Sequence, residues 1–397
     1  MAITLSNFDA VLKENYDADV ITDLVTQRHP LFSLLPKDTG WTGDVKIVPL
    51  QYGNPQSIGS GTGNFSTIQA NIGNSTYDRW TVTSSQHYGL IQVNREAFLA
   101  SADADGAFAD ALDREVRSVL KELGRDLARQ LFGTSNNVLA QVTSGTASPI
   151  TVGSQAARKF EVGMRIMADD TITGASPRSG TGVVTAVDYT AGTVTYSGTI
   201  TSIAADDYIF REGAITSATG TGITGLDDWL GSSSALFGVT RTASSRLQGQ
   251  TFNATTESLS IQDAFIKAVI DADREGGYVD VIITDHATYA TLQQSEQSQK
   301  RYPTPDDAIS KLGFKEVMMI NGAMVIPDRF CAAGTAYALE LDSFKLCSRG
   351  DLVHFVEDDG RILLRNASSD SVDARVASYC QLVCDAPIHN VLITGLA

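Results

Sequence analysis

One stretch of the chain has a clear helical pattern of apolar residues. Between about Asp103 and Phe132 they recur every three or four positions, at Phe108, Leu112, Val116, Val119, Leu123, Leu127 and Leu131. This spacing forms one apolar stripe along a helix, with charged residues on the opposite face. Gly133 follows directly, and glycine commonly ends a helix. The pattern therefore predicts one long amphipathic helix.

An alternating pattern before this helix predicts a long β-hairpin. Strand-like residues run from Asp44 to Leu50 and from Tyr77 to Val93, and the stretch from Gly53 to Gly73 between them is rich in Gly, Asn, Ser and Thr. The two strands carry too few apolar residues to build a core of their own, so we expect the hairpin to lie on another surface. Before it, Leu5 to Val25 reads as a helical arm that ends near Pro30.

The chain after the long helix changes character twice. Residues 142–213 are rich in Thr, Gly, Val and Ala in short alternating runs, which predicts an inserted small all-β barrel or sandwich. Residues 214–256 are rich in turn-forming residues. Beyond them the patterns predict helices at Ile261–Ala272 and His286–Gln299, with a buried strand at Val279–Thr284 between them. Further strands are predicted at 315–320, 324–327, 336–341, 352–357, 362–365, 372–383 and 389–393. The fold class predicted is α+β.

Composition and charge exclude several functions. The 397 residues carry a formal net charge of −16 and 43% hydrophobic residues, which predicts folded domains and argues against a protein that coats phosphates. No apolar run approaches the ~18 residues of a membrane helix. The four cysteines lie late in the chain at Cys331, Cys347, Cys380 and Cys384, without the spacing of a disulfide framework, so we expect reduced thiols.

The search for cofactor-binding or catalytic motifs finds weak candidates only. Gly220 to Gly225 formally matches the dinucleotide-binding pattern G-x-G-x-x-G, but no acidic residue follows about twenty positions on, which favours a flexible connector. Asp285-His286 resembles part of a catalytic triad, yet a helix cap by Asp285 explains it equally well. We therefore predict no catalytic residue, no cofactor and no enzymatic activity.

Metal-binding patterns are equally weak. Cys380 and Cys384 would lie about 13 Å apart on one face of a strand, too far to share a metal ion. The histidines His29, His87, His354 and His389 are isolated, and a lone histidine is usually structural. Acidic pairs occur in predicted turns, at Asp169-Asp170, Asp206-Asp207, Asp227-Asp228, Asp306-Asp307 and Asp358-Asp359. We interpret them as solvated loop residues, with weak cation binding as the alternative, and predict no metal site.

The order of these elements resembles the major capsid proteins of tailed bacteriophages, the Hong Kong ninety-seven type of fold. The similar segments are Arg28 to Pro36, Gly89 to Phe98 and Asp385 to Ile393. The resemblance implies an N-terminal arm (1–43), an extended loop (44–95), a peripheral domain with a spine helix (96–141) and an inserted β domain (142–213). It further implies a peripheral connector (214–257), an axial domain (258–347), peripheral strands (348–386) and a C-terminal axial strand (387–397).

The same resemblance implies a function and a set of partners. Copies of the chain would assemble as pentamers and hexamers into the icosahedral head shell that encloses double-stranded DNA, without sequence-specific DNA binding and without a membrane. The expected partners are a portal protein, a scaffolding protein supplied as a separate chain, and a decoration protein as a further option. The expected location is the virion, with assembly in the host cytoplasm, and we expect no amino-terminal propeptide.

A further expectation concerns how copies would be held together. Some relatives join a loop lysine to a neighbouring subunit's asparagine by an isopeptide bond, but Gln51 to Leu90 contains no lysine, so we expect non-covalent contacts that bury Trp41 and Phe65 between subunits. Two alternatives remain open: another self-assembling phage protein, such as a tail-tube or decoration protein, or an enzyme with an unrecognised site. The long spine helix separates these alternatives, because a tail-tube or decoration protein should lack it.

Overall fold

The computed structural model describes residues 29–60, 65–70, 72–94, 96, 111–216, 219–231, 235–297, 318–356, 363–365 and 369–396. The predicted arm helix, the predicted spine residues before 111, and the acidic pairs Asp306-Asp307 and Asp358-Asp359 lie outside these residues. The described residues form two compact units. The smaller comprises residues 88–123 and 354–377, and the larger comprises 29–87, 124–353 and 378–396.

The spine helix spans Ala111–Gln130 within the described residues, and two members of its predicted apolar stripe, Val116 and Val119, are half-buried. Leu123, Leu127 and Leu131 are all buried. The helix belongs to the smaller unit up to Leu123 and to the larger unit from Gly124 onwards. No helix among the described residues is long and apolar enough to cross a membrane.

The smaller unit contains a β-sheet around the first half of a long strand, Ser371–Cys384. Two short strands, His354–Phe355 and Leu363–Arg365, pair antiparallel with it. The strand Ser85–Asn94 also pairs with it. A Cβ on Gly89 of this strand would lie 2.7 Å from the Val119 side chain, so glycine permits close packing against the helix.

The hairpin is shorter than predicted. Its strands are Val45–Gly53 and Thr76–Thr83, paired antiparallel from Val45 opposite Thr83 outwards. The predicted second strand, 77–93, is two strands, because the chain breaks at Ser84 and the following strand Ser85–Asn94 joins the sheet of Ser371–Cys384 instead. The assignment of 44–95 to one hairpin is therefore corrected to 45–83. A short helix, Phe65–Ala70, lies near its tip.

Residues 140–211 form a small six-stranded barrel, in the stretch where the sequence predicts an inserted all-β barrel or sandwich. Its strands follow the order Ala140–Gln141, Tyr208–Arg211, Arg165–Asp169, Gly182–Asp188, Thr193–Gly198 and Ile150–Thr151. Backbone hydrogen bonds from Thr143 N to Thr151 O (2.8 Å) and from Thr151 N to Ser144 O (2.9 Å) join the segment just after the first strand to the last strand and so close the ring. Its core contains Phe160, Ile166, Val194 and Ile209, all fully buried, and a short helix, Ser154–Ala157, packs beside it.

A second, open sheet contains six strands. Their order is Gln250–Asn253, Val391–Thr394, Ala336–Leu339, Val281–Thr284, Ala323–Pro327 and Met318–Ile320. Every residue of Val281–Thr284 is buried, which explains the uninterrupted apolar run in the sequence. The helices Ile261–Arg274 and His286–Gln297 pack with this sheet as predicted, and the first begins where Ser260 Oγ accepts a hydrogen bond from Asp263 N (3.1 Å).

A third group of strands was only partly predicted. The end of Ser371–Cys384 pairs with Phe344–Ser348, which in turn pairs parallel with Lys37–Asp38. The sequence did not predict Phe344–Ser348, because Lys345 and Ser348 interrupt its apolar residues and the strand has only five residues.

The stretch 214–257 is more than the predicted connector. It contains a helix at Leu226–Leu230, and its strand Gln250–Asn253 pairs parallel with Val391–Thr394 in the open sheet. Four short strands complete it, as the pairs Ile215–Thr216 with Thr219–Gly220 and Ala235–Leu236 with Val239–Thr240. The remaining short helices of the described residues are Pro30–Leu34, Arg241–Ala243, Ser245–Leu247, Leu341–Ser343 and Pro387–His389.

Candidate assembly surface

The base of the hairpin is anchored by aromatic packing. Trp80 and Val82 are fully buried on the second strand. The Trp80 ring meets the Trp229 ring edge to face at 5.0 Å between centroids, and Trp229 Nε1 donates to Leu382 O (3.1 Å). Edge-to-face contacts of this kind add to the stabilisation from buried area. The hairpin therefore leaves the rest of the larger unit from a fixed base.

The remainder of the hairpin has no core of its own. None of the described side chains between Pro49 and Arg79 is buried. Five large apolar side chains nevertheless lie exposed between residues 45 and 83, namely Ile47, Ile58, Phe65, Ile72 and Tyr77. Ile58 is 88% exposed and Phe65 is 78% exposed. Apolar groups collected on a projecting element are typical of a surface that is covered by another molecule.

Lys46, at the hairpin base, is already engaged. Its ammonium forms an ion pair with Asp38 and lies 3.2 Å from Cys347 Sγ. Burial opposes the charge, but the hydrogen bonds to Asp38 and Cys347 hold the pKa of Lys46 above its usual value. The lysine nearest to the hairpin tip is thus a charged structural contact between three strands rather than a free amine.

The chain before the hairpin is fixed to the larger unit. Leu31, Leu35 and Trp41 are buried, and the Arg349 guanidinium lies 5.4 Å from the centroid of the Trp41 ring. The expectation that Trp41 gains burial between subunits is therefore wrong, because this indole is covered within its own chain. Phe65, the other residue named for that role, is exposed as the expectation requires.

Two further exposed apolar side chains lie at one end of the open sheet. Tyr278 and Met319 are both 65% exposed. The Tyr278 hydroxyl lies 3.6 Å from the position that a Cβ on Gly322 would occupy, in the turn between the strands Met318–Ile320 and Ala323–Pro327. This end of the sheet thus offers a further contact surface separate from the hairpin.

The glycine-rich segment is a packed structural element. Gly222 N donates to Ser135 O (3.0 Å), Ile223 N donates to Gln130 Oε1 (3.0 Å), and Leu226 N donates to Leu131 O (2.7 Å). The flexible connector that the sequence suggested is therefore corrected: residues 222–226 lie fixed against the end of the spine helix. The glycines serve close packing, and the segment does not form a strand followed by a long helix.

The other motifs noted in the sequence make structural contacts, as far as their residues are described. Asp285 Oδ2 accepts from Ala287 N (3.0 Å) and Thr288 N (3.3 Å), which confirms the helix cap. Cys380 and Cys384 are buried free thiols, and burial raises the pKa of Cys380 to about 11. His389 Nδ1 lies 2.6 Å from Glu340 Oε2.

Two further histidines make structural contacts. His87 Nε2 lies 3.0 Å from Ser85 Oγ, and burial lowers its pKa. The His29 ring stacks on Phe330 at 5.6 Å, and burial followed by the nearby Arg125 and Arg329 lowers its pKa.

Several acidic residues are not the solvated loop residues that the sequence suggested. Asp207 is buried and accepts from Arg178 Nη2 (2.9 Å) and Ala204 N (2.9 Å). Asp169 is also buried, and it accepts from Thr171 N (2.6 Å) and Ser176 N (2.9 Å). These carboxylates hold the loops of the barrel. No group of three or more His, Cys, Asp or Glu side chains among the described residues is placed to hold a metal ion.

Comparison with known proteins gives a result only at the level of structure. No family model and no curated protein matches the sequence. The capsid asymmetric unit of cyanophage A-1(L) is 12% identical with a TM-score of 0.63, covering 99% of both chains. The capsid of a native GTA particle is 8% identical with a TM-score of 0.55, covering 100% of both chains.

A third structure, from Mycobacterium phage Cain, is 11% identical with a TM-score of 0.51 and covers 99% of this chain and 98% of that chain. At such low identities the likeness shows the fold, and it extends along the whole chain. The chain has the α+β fold of these phage capsid structures, which confirms the fold class that the resemblance implied.

Proposed function

We propose that this chain is the major capsid protein of a tailed phage, whose copies assemble as pentamers and hexamers into the icosahedral shell around the double-stranded DNA genome. The capsid-type fold along the entire chain supports the proposal. The spine helix, with Ala111–Gln130 described, is the element that a tail-tube or decoration protein should lack.

The exposed hairpin is the observation that carries the proposal. Fully burying an Ile or Phe side chain contributes roughly 1.5–3 kcal/mol. The hairpin holds five exposed large apolar side chains and no described buried residue beyond its base. This stabilisation is available only when another molecule covers the hairpin. In a closed shell every copy repeats the contact, so modest contacts sum to strong association.

The domain roles follow from this proposal. The hairpin would lie across a neighbouring subunit, residues 258–347 would surround the five-fold and six-fold axes, and the barrel would be an additional domain on the outer surface. A portal protein, a separate scaffolding protein and a decoration protein are the proposed partners. The proposed location is the virion, after assembly in the host cytoplasm, and the proposed role is structural rather than enzymatic.

We expect a hairpin variant to fold normally and fail to assemble. Replacing Ile58, Phe65 and Ile72 together by serine removes exposed apolar groups only, so the free energy of unfolding of the single chain should stay within about 0.5 kcal/mol. The concentration needed for shell formation should rise at least about a hundredfold, since tenfold corresponds to about 1.4 kcal/mol. Light scattering and negative-stain microscopy over a concentration series measure this.

The matched control is Val162→Ser, which removes an equally exposed apolar side chain from the barrel. Its shells should form at the concentration of the parent protein. Shells formed by the triple hairpin variant at the parent concentration would contradict the proposed role of the hairpin.

We also expect assembled particles to contain no covalent cross-links between copies. The stretch from Gln51 to Leu90 has no lysine, and the ammonium of Lys46, at the hairpin base, is paired with Asp38. Particles boiled in SDS with reductant should run as a single band near 42.3 kDa. A ladder of covalent oligomers under these conditions would show that the amine for a cross-link comes from elsewhere.

A further inference from the structure

A cavity of about 380 Å³ lies where the barrel meets the loop that follows the strand Ala323–Pro327. One wall comes from the barrel, with Val152, Ala156 and Lys159, and the other from Cys331 and Ala333. Its walls are mainly apolar, and its volume is in the range of sites that bind small molecules. Besides the weakly nucleophilic hydroxyl of Ser154, two lining side chains are nucleophiles in principle: the amine of Lys159 and the thiol of Cys331.

Lys159 differs from the other described lysines. Its Nζ has no hydrogen-bond or ion-pair partner within the part of the chain that the structure describes. The others are engaged: Lys37 over the Phe32 ring, Lys46 with Asp38, Lys121 with a partner of its own, Lys267 with Asp271 and Lys345 with Asp385. An amine without such a partner, in a mainly apolar cavity, has no hydrogen bond or ion pair that fixes it in its charged form.

The surroundings of Lys159 favour the neutral amine. Burial lowers its pKa to about 8, and the positive charge of Arg129 acts in the same direction. Asp227 and Cys331 oppose this shift. Burial raises the pKa of Asp227, which weakens this opposition, although the hydrogen bond that Asp227 accepts from the Tyr337 hydroxyl (2.7 Å) favours its charged form.

The thiol of Cys331 is the less reactive of the two groups. It is buried, and its Sγ donates to Thr335 O (3.4 Å). Burial holds the pKa of this thiol well above its usual value, and the thiolate is the form that reacts. The cavity therefore presents a reactive amine and an unreactive thiol. This combination favours electrophiles that react with amines.

We propose that Lys159 is a covalent attachment site for small apolar aldehydes, which enter the cavity and form an imine with its side chain. The neutral Nζ attacks the carbonyl carbon, and the oxygen takes up protons and leaves as water while the carbon–nitrogen double bond forms. One amine and one aldehyde thus yield one imine and one water, with no change of oxidation state. The apolar walls retain the alkyl chain of the aldehyde. This inference is independent of shell assembly.

The expected selectivity is substantial. With a pKa of about 8, roughly one in ten Lys159 amines is neutral at pH 7, against about one in 2,500 for a lysine of ordinary pKa. A lower basicity also reduces intrinsic nucleophilicity, which offsets part of this difference. We therefore expect Lys159 to react about tenfold faster than the exposed Lys37.

The test is competitive labelling of the full-length folded protein. Hexanal at less than one equivalent is added with cyanoborohydride, which reduces the imine to a stable secondary amine, and peptide mass mapping identifies the modified lysines. The label should accumulate first on Lys159, with a rate that rises with pH around a midpoint near 8. Label spread over exposed lysines such as Lys37, or a midpoint above pH 10 at Lys159, would overturn the proposal.

Two variants separate the role of the amine from that of the cavity. Lys159→Arg should abolish the fast-labelled position. Ala333→Leu, at an exposed rim residue, should slow hexanal at Lys159 at least fivefold while formaldehyde, which is small enough to pass the new side chain, keeps its rate. Equal slowing of both aldehydes, or of neither, would show that the cavity does not bind the alkyl chain.

Discussion

A Gly225→Ala variant should unfold about 3 kcal/mol more easily than the parent protein. The added Cβ would lie 2.3 Å from Gly133 O and 2.6 Å from both Gln130 O and Leu131 O. These oxygens belong to the backbone at the end of the spine helix and cannot rotate away as a side chain would. Overpacking usually costs 1–3 kcal/mol, and three backbone clashes place this change at the upper end of that range.

The matched control is Gly124→Ala, the same substitution inside the spine helix. No atom lies within 4 Å of the position that its Cβ would take. Alanine is favoured over glycine in a helix by about 0.8–1.0 kcal/mol, so this variant should be more stable than the parent. Urea unfolding of the unassembled chain measures both. Equal stability of the two variants would mean that residues 222–226 do not pack against the helix end.

An Arg241→Met variant should lose about 4 kcal/mol of stability. Arg241 is fully buried, and its guanidinium donates to the carbonyls of Trp229 (2.7 Å), Gly231 (2.8 Å) and Asp228 (2.9 Å). These oxygens lie at the end of the helix Leu226–Leu230, where no further helical turn supplies N–H groups to donate to them. Methionine fills much of the volume but donates nothing, so three buried acceptors lose their partner.

Arg246→Met is the control in the same stretch of chain. Arg246 is exposed, and its Nη1 makes a long contact of 3.4 Å with Tyr52 O. Its loss should change the free energy of unfolding by less than about 0.5 kcal/mol. If thermal or urea unfolding showed similar losses for the two arginines, the buried guanidinium would not be the anchor of this helix end.

The elements that could be predicted from the sequence are those in which apolar residues recur at regular spacing or follow one another directly. The stripe of Leu123, Leu127 and Leu131, the helix Ile261–Arg274 and the strand Val281–Thr284 each bury a regular set of apolar residues. Their periodicity therefore carries the structural information directly. The alternating runs of the barrel were predictable for the same reason.

Elements defined by long-range pairing could not be predicted in this way. Phe344–Ser348 is a strand because Lys37–Asp38 and Ser371–Cys384 pair with it on either side. Lys37–Asp38 lies hundreds of residues earlier in the chain. Gln250–Asn253 likewise owes its conformation to Val391–Thr394. Short strands with polar residues take their structure from their neighbours, and propensity alone does not identify them.

The candidate assembly surface was predictable in outline only. The polar composition of the hairpin indicated an element without its own core, but burial of Trp41 by Arg349 and exposure of Phe65 depend on the folded chain. Lys159 carried no signal in the sequence at all. Its lone amine becomes evident only when the barrel and the loop around Cys331 are brought together.

The closed ring of the barrel determines how this part of one copy can meet another. The hydrogen bonds from Thr143 to Thr151 and from Thr151 to Ser144 pair the last strand with the segment that follows the first strand, at the place where the sheet would otherwise have an open edge. An unpaired edge strand can pair with a strand of a neighbouring molecule, and this pairing can continue from molecule to molecule without limit. Because these backbone groups are already paired within the chain, they are not free to pair with a strand of a neighbouring copy. In the proposed shell, with the barrel on the outer surface, this pairing would leave these two strands unable to join strands of other particles.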